Sequence, residues 1–193
     1  EKTSSGSEAA AANANNPLAD IQAFNLHNYY VPELSELDDN ANTFWLRYAQ
    51  PFGKWLFRAS LPVSRVPTGN GASTSGLGDF NAFAAYLFDT GDPAISLGVG
   101  RQLTMPTASE DETGTDKWQA GFATVYFNAS SKLFQWGGLV TWQTDFAGDD
   151  DRRDVSQSLI EPFVNYNLDN GWYLTFSPIV TADWEAPSGQ EWT

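Results

Sequence analysis

The chain has 193 residues and no cysteine, and its 24 acidic against 10 basic residues give a formal net charge of −14. This balance argues against nucleic acid as a partner, because phosphate binding needs clustered Lys and Arg, and the missing thiols exclude disulfides and thiolate metal sites. No apolar run approaches the roughly 20 residues of a membrane-spanning helix, so a membrane protein with this sequence would have to cross with strands.

The N-terminal segment, residues 1–16, is small and polar and has no apolar face. We predict a disordered tail at 1–16, because such a composition cannot form a packed core, and one domain at 17–193. The mean hydropathy of −0.37 would suit a soluble protein, but aromatic residues make up 15% of the chain and include 8 Trp.

From Pro17 onwards, apolar and polar residues alternate with a period of two, and aromatic and β-branched side chains are frequent, which is typical of strands. We predict about nine of them. They are residues 18–31, 43–52, 55–64, 78–88, 94–105, 118–128, 133–144, 155–168 and 171–184. Most are longer than the common globular strand of about 5 or 6 residues and match a tilted membrane strand of about 9 to 11 residues with its ends.

Short turns containing Gly, Pro, Asn or Asp alternate with long polar connections. The short turns are predicted at 52–54, 89–93, 129–132 and 169–170, and the long connections at 32–42, 65–77, 106–117 and 145–154. Outer-membrane barrels have this arrangement, with short periplasmic turns and longer external loops. The sequence therefore predicts an all-β fold, an antiparallel up-and-down transmembrane β-barrel. A soluble barrel or sandwich with the same faces buried is the alternative, since periodicity alone does not separate the two.

The last predicted strand has a wholly apolar face that begins at Trp172 and ends at Trp184. Similar faces in other strands include Trp55, Trp136 and Trp142. Aromatic girdles mark both membrane interfaces of a transmembrane barrel. We therefore predict these five Trp side chains as lipid-interface aromatics.

The opposite faces carry the charges that we expect to matter in the lumen, which are Arg47, Arg58, Glu161 and Asp183. Arg and Glu on adjoining walls would set a transverse field in a pore and bias which solutes pass. The alternative is an interior ion-pair network that fills a narrow barrel and conducts nothing.

The sequence contains only weak signals for a catalytic site or a metal site. The single histidine, His27, would serve a hydrolase only beside a serine, and no Gly-x-Ser-x-Gly elbow specifies one. The carboxylates within 110–116 and 149–154 are oxygen donors of the kind Ca²⁺ takes, but their spacing is not that of an EF-hand, and solvated loop charges account for them. We predict no catalytic residue, no metal site and no cofactor.

A count of nine strands cannot close a single-chain bacterial barrel, which has an even number. We therefore expect a barrel that is incomplete at its C-terminus and has about twelve strands in the complete protein. A miscounted first strand would restore the parity equally well.

Several motifs carry a family resemblance. They are residues 76–80 (GLGDF), 98–108 (GVGRQLTMPTA), 117–121 (KWQAG), 162–168 (PFVNYNL), 171–175 (GWYLT) and 177–184 (SPIVTADW). As a set they resemble the family of outer-membrane β-barrel proteins named after the meta-cleavage pathway of phenol degradation, over most of the chain from about residue 16 to 193. The resemblance implies a barrel of about twelve strands that takes up aromatic or other small molecules and has no catalytic motif.

Together these features predict a channel of the bacterial outer membrane for passive uptake of small, hydrophobic or aromatic solutes. Its expected surroundings are outer-membrane lipid and lipopolysaccharide, and no enzyme activity is expected. The alternatives are a closed structural or surface-binding barrel without transport, an outer-membrane hydrolase and a soluble β-protein.

Overall fold

The computed structural model describes residues 22–34, 39–168 and 172–192, and in them 11 antiparallel strands form one sheet. The strands are β1 (Ala23–Leu34), β2 (Asp39–Phe52), β3 (Trp55–Gly69), β4 (Ala72–Leu77), β5 (Phe80–Phe88), β6 (Ile95–Met105), β7 (Lys117–Asn128), β8 (Phe134–Gly148), β9 (Ser156–Asn167), β10 (Tyr173–Phe176) and β11 (Val180–Asp183). The described part contains one 3-10 turn, at Asp111–Thr113, and no helix long and apolar enough to span a membrane.

The order of strands in the sheet is β1-β2-β3-β5-β6-β7-β8-β9-β10, with β4 paired to β3 and β11 paired to β9. Sequential strands are therefore neighbours as in a meander, except that β4 and β5 both pair with β3 and that β10 and β11 both pair with β9. The sheet curls into a half-barrel with β1 at one edge and β10 and β11 at the other. The prediction of an all-β antiparallel fold is confirmed at this level.

The first difference from the predicted strands is at residues 65–77, which form a hairpin rather than a loop. β3 continues to Gly69 and β4 returns along it from Ala72. The turn between them has positive φ at both central residues, 52° at Asn70 and 74° at Gly71. Asn-Gly is the dipeptide that such a type I′ turn favours. The prediction of a long loop here is wrong, and the Asn-Gly signal explains why the strands extend.

The second difference is that the last predicted strand is split into β10 and β11. Both pieces pair with β9 in one continuous register, from Tyr173 opposite Asn167 to Asp183 opposite Gln157. That register places Pro178 opposite Pro162 in the gap between them. Neither proline has an N–H to donate to the ladder, so the ladder is interrupted over residues 177–179, between β10 and β11.

The other connections are shorter than predicted. β1 reaches Leu34 and β2 begins at Asp39, so most of the predicted loop 32–42 is strand, with residues 35–38 outside the described part. β8 continues to Gly148, which shortens the connection predicted at 145–154. The predicted tail 1–16 and the predicted turn 169–170 also lie outside the described residues.

Strand alternation sorts the side chains onto a convex and a concave face. The small hydrophobic core lies on the concave face, where Leu56 and Val125 are buried and Phe83, Leu87 and Leu139 pack against them. The convex face is the more apolar of the two, and its large side chains are exposed. The exposed set includes Phe57, Val63, Val99, Phe122, Val140, Ile160, Leu174 and Phe176.

Candidate functional site

The concave face of the half-barrel encloses an open cavity of about 740 Å³. Side chains from β1, β2, β3, β5 to β9 and β11 line it, and most of them are polar or charged. All four charges predicted for the lumen lie on its wall. They are Arg47 in β2, Arg58 in β3, Glu161 in β9 and Asp183 in β11.

The two carboxylates of this set are occupied by other partners. Asp183 forms a 2.8 Å ion pair with Arg153, and Glu161 accepts a 2.8 Å hydrogen bond from the Ser177 hydroxyl. No ion pair joins Glu161 or Asp183 to Arg47 or Arg58 in the part of the chain that the structure describes. Within the described residues these four charges therefore line the same cavity without any two of them lying within ion-pair distance of each other.

The two arginines instead stack on aromatic rings. The guanidinium carbon of Arg58 lies 5.0 Å from the centroid of the Phe83 ring, and that of Arg47 lies 5.0 Å from Trp45 and 5.9 Å from Tyr29. These distances are within the range of a cation–π contact. In both arginines the Nε atom is buried and has no hydrogen-bond partner among the described residues.

A chain of side-chain amides crosses the cavity wall beside the arginines. Gln102 donates to Gln143 over 2.9 Å, Gln143 donates to Gln119 over 2.6 Å, and Gln119 donates to the Thr115 hydroxyl over 2.8 Å. Gln119 and Gln102 are both buried. Every link in this chain pairs a donor with an acceptor, as buried amides require.

Gly121 explains how Gln102 and Gln143 meet although β7 separates their strands. The register places Gly121 opposite Gln102 on one side and opposite Gln143 on the other. A Cβ atom at this position would overlap the carbonyl oxygen of Trp142 and lie 2.8 Å from the Cβ of Gln143. The missing side chain therefore leaves the space across which the two amides bond.

Asp79, which precedes β5, holds the connection between β6 and β7 against the cavity. Its Oδ2 accepts from the backbone N–H and the hydroxyl of Thr115, both over 2.8 Å, and its Oδ1 accepts from the N–H groups of Thr107 and Ala108, both over 3.2 Å. Glu112, in the same connection, lines the cavity. The connection predicted at 106–117 as an external loop is thus folded inward over the polar wall.

Arg152 braces this connection from the β8–β9 side. It donates to the backbone carbonyls of Asp111 over 2.6 Å and Gly114 over 2.7 Å, and it pairs with Asp116 over 3.2 Å. The carboxylates considered for Ca²⁺ are therefore in part engaged with arginine. In the described residues no group of three or more His, Asp or Glu side chains is placed to hold a metal ion.

Towards the short turns the concave face holds large apolar side chains beside a pair of buried amides, Gln135 and Asn165. Phe127 is 1% exposed and stacks on Phe163, with ring centroids 6.0 Å apart. The Phe163 ring in turn covers Gly137, where an added Cβ would lie 2.7 Å from its Cζ. An aromatic side chain laid over a cross-strand glycine is a recurring way to fill a curved sheet. This packing narrows the interior at that end of the described sheet.

The aromatics predicted for the lipid interface lie where the convex face is exposed. Trp55 contacts Tyr86, Trp136 contacts Tyr126, and ring centroids are 5.4 and 5.3 Å apart in these pairs. Trp142 lies against Phe122, Trp184 contacts Trp192 and bonds Ser158 through its indole N–H, and Trp172 is 74% exposed. The five Trp side chains therefore form part of one outward-facing aromatic surface.

His27 faces the same concave wall, where its Nδ1 accepts a 3.0 Å hydrogen bond from Arg47. No serine hydroxyl bonds to it in the described part of the chain.

The residues that sequence reasoning missed are Asp79, Gly121 and Gln119. Asp79 lies in one of the quoted motifs, but its role depends on a contact 36 residues away, which spacing does not report.

The chain was compared with known proteins at three levels. No protein-family model, no curated protein and no solved structure matches it. The family resemblance of its motifs stays a prediction.

Proposed function

We propose that this protein forms a channel of the bacterial outer membrane through which small solutes diffuse passively. The observation that carries the proposal is the inverted distribution of side chains on the curled sheet. Phe57, Phe122 and Val140 are exposed on the convex face, whereas Gln102, Gln119 and Ser60 are buried on the concave face. A soluble domain buries its apolar face, and a barrel in lipid turns it outward.

The convex aromatics support a bilayer as the medium of that face. One row lies near the short turns and includes Trp55 in β3, Tyr86 in β5, Tyr126 in β7 and Trp136 in β8. Towards the long connections the face carries Trp118, Trp142 and Trp184. Tyr and Trp favour the membrane–water interface because the ring is apolar and the N–H or O–H can bond water.

Strand length supports the same medium. β2, β3 and β8 have 14, 15 and 15 residues, and β7 and β9 have 12. A strand tilted by about 45° needs about 9 to 11 residues to cross the hydrocarbon layer. The finer fold that we propose is an up-and-down transmembrane barrel of about twelve strands, in which the half-barrel is part of the wall. Outer-membrane lipid and lipopolysaccharide would contact the convex face.

The family resemblance and the cavity support the solute class that we propose. The resemblance suggests aromatic or other small molecules, and the cavity of about 740 Å³ is in the range of small-molecule sites. Passive diffusion requires neither a cofactor nor a covalent step. The proposal therefore assigns lining roles, and no catalytic ones, to the residues of the concave face.

A second candidate is a closed structural or surface-binding barrel without transport. The packing of Phe127 on Phe163 and the inward position of the 106–116 connection favour it, because both occupy interior space. Under this alternative the acidic external segments would contact partners while nothing passes through the barrel.

The test begins with the membrane location of the full-length protein. We expect it to fractionate with outer membranes and to migrate faster in detergent gels before boiling than after, as a closed barrel does. Reconstituted liposomes should then take up small solutes, and planar bilayers should show conductance. A heat-modifiable barrel without flux or conductance would favour the closed alternative, and a protein that stays dispersed without detergent would overturn the membrane proposal.

A further inference from the structure

Arg47 and Arg58 lie next to each other on the cavity wall. Arg47 is opposite Ser60 and Arg58 is opposite Ala49 in the β2–β3 ladder, so the two arginines are diagonal neighbours on one face. Diagonal pairs in an antiparallel sheet have Cα atoms roughly 7 to 8 Å apart, which is within the reach of two long side chains. Two guanidinium groups of like charge therefore share one region of the wall.

No carboxylate of the described chain lies within ion-pair distance of either arginine, although the chain carries a net charge of −14, and Glu161 acts on Arg58 only from beyond that distance. Three acidic groups of the cavity have other hydrogen-bond or ion-pair partners, and a fourth, Glu112, lines it from the 106–116 connection. Asp79 accepts four hydrogen bonds, Asp183 pairs with Arg153, and Glu161 accepts from Ser177. Adjacent like charges repel, and the arrangement is costly unless an anion joins it.

The stacking contacts do not use the hydrogen-bonding edges of the arginines, of which Arg47 uses one donor, Nη1, in a 3.0 Å bond to His27 Nδ1. Phe83 covers one guanidinium, and Trp45 and Tyr29 cover the other, so the aromatic contacts occupy the faces of these planar groups. The N–H donors lie in the guanidinium plane, and the buried Nε donor of each has no partner. Buried donors are nearly always hydrogen-bonded because an unmade bond is unfavourable, so this edge is suited to bind an acceptor that the described chain does not supply.

We infer that Arg47 and Arg58 form a binding site for a small organic carboxylate. A carboxylate matches the guanidinium fork with two parallel hydrogen bonds, which a neutral amide or alcohol does not. Leu139 also lines the cavity and can contact the apolar body of the ligand. The inference names the class of solute that the proposed channel would bind. Binding at this site does not depend on the proposed function, and only the passage of the bound solute through the channel rests on it.

Equilibrium dialysis of the full-length protein in detergent micelles measures the binding step alone. The probes are radiolabelled benzoate and its neutral isostere benzamide, with empty micelles as the blank. We expect saturable benzoate binding and no saturable benzamide binding. Arg58→Gln and Arg47→Gln should each weaken benzoate binding by about tenfold or more, since a charge-assisted pair of hydrogen bonds is lost. Arg58→Lys, which keeps the charge but loses the fork, should weaken it less than Arg58→Gln.

Arg101→Gln is the matched control, because Arg101 is exposed on the convex face and the substitution removes the same charge. It should leave benzoate binding unchanged, and heat-modifiable migration should show that every variant folds. Equal binding of benzamide, or an effect of Arg101→Gln as large as that of Arg58→Gln, would overturn the inference. Displacement of benzoate by inorganic phosphate at equal concentration would show that the site recognises charge alone and would overturn the organic class.

Flux measurements separate this inference from the proposed function. Benzoate binding without uptake of any solute by liposomes would contradict the channel and leave the carboxylate site standing. Uptake of neutral solutes without benzoate binding would support the channel and overturn the carboxylate site.

Discussion

The concave face of the half-barrel has two halves that differ in chemistry: the half nearer the short turns holds a small apolar core beside the buried amides Gln135 and Asn165, and the other half is polar. The apolar half, nearer the short turns, packs Leu56, Val125, Phe127 and Phe163. The polar half, nearer the long connections, is defined by Arg47, Arg58, Gln102, Gln119, Gln143 and Asp79. Strand alternation places the side chains of both halves on the concave face, so the two-residue period of the sequence did not separate the two halves. The concave face of one sheet can therefore hold a small apolar core and a polar site along the same strands.

The two halves should also respond differently to substitution of their residues. The apolar half depends on close packing between large rings, so its loss should act mainly on stability. The polar half depends on directional hydrogen bonds around unoccupied space, so its loss should act mainly on the geometry of the cavity. The following substitutions test whether the halves are separable in this way.

Phe127→Ala should have the largest effect because it empties the centre of the apolar half. Phe127 is 1% exposed, and truncation of a buried Phe costs about 3 to 5 kcal/mol. Urea unfolding in detergent micelles, followed by Trp fluorescence, measures the loss. Phe122→Ala on the same strand is the control, since Phe122 is 46% exposed on the convex face and should cost clearly less. Equal losses from the two variants would mean that the apolar half is not a core.

Gly121→Ala should have the next largest effect. The new Cβ overlaps the Trp142 carbonyl and crowds Gln143, so β7 and β8 must separate locally, and such overpacking costs about 1 to 3 kcal/mol. We also expect the contact between Gln102 and Gln143 to break, which a change in benzoate binding beside it would report.

The control for this variant is Gly138→Ala on β8. A Cβ at Gly138 would have its nearest neighbour 3.6 Å away, which is ordinary van der Waals contact. Its unfolding midpoint should therefore stay close to that of the parent chain. If Gly121→Ala is equally well tolerated, the amides do not depend on the space above Gly121.

The sequence predicted which side chains share a face of the sheet better than it predicted the contacts between side chains on the concave face. Alternation in β7, from Trp118 to Asn128, reports which side chains share a face because the strand period is fixed at two. The split of the last strand was not predicted, since it arises where Pro178 meets Pro162 across the ladder and only the register brings them together. Arg47 and Arg58 could be placed on the inner face, but their stacking on aromatic rings depends on rotamers that period does not determine.

The inward connection at 106–116 was missed for a related physical reason. Its polar composition predicted an external loop, and nothing local in the sequence favours an inward path. Asp79 and Arg152 hold it from two other parts of the chain, through contacts 36 and 38 residues away. Contacts between residues so far apart in the sequence depend on the order of the strands in the sheet, which the sequence predicted only approximately.

Asp79→Asn should have the smallest effect on stability and the most local one. The amide keeps the size of the carboxylate but replaces one acceptor oxygen with a donor, so the charge-assisted bonds from Thr115 weaken. A hydrogen bond to a charged group contributes about 1.5 to 3 kcal/mol, and we expect a loss towards the lower end because Asp79 is partly exposed. Hydrogen exchange should accelerate at the amides of Thr107, Ala108 and Thr115, while the amides of β7 near Phe127 stay protected.

Asp92→Asn provides the matched control at the opposite end of the sheet. Asp92 accepts a single 2.9 Å bond from the backbone of Ala94 in a short turn, so its substitution should leave exchange in the 106–116 connection unchanged. Because Asp79 acts on the polar half alone, faster exchange confined to that connection would show that the halves are energetically separate. Faster exchange that spreads from Asp79→Asn to Val125 and Phe127 would instead show that the polar half supports the core, and the division drawn between them would have to be abandoned.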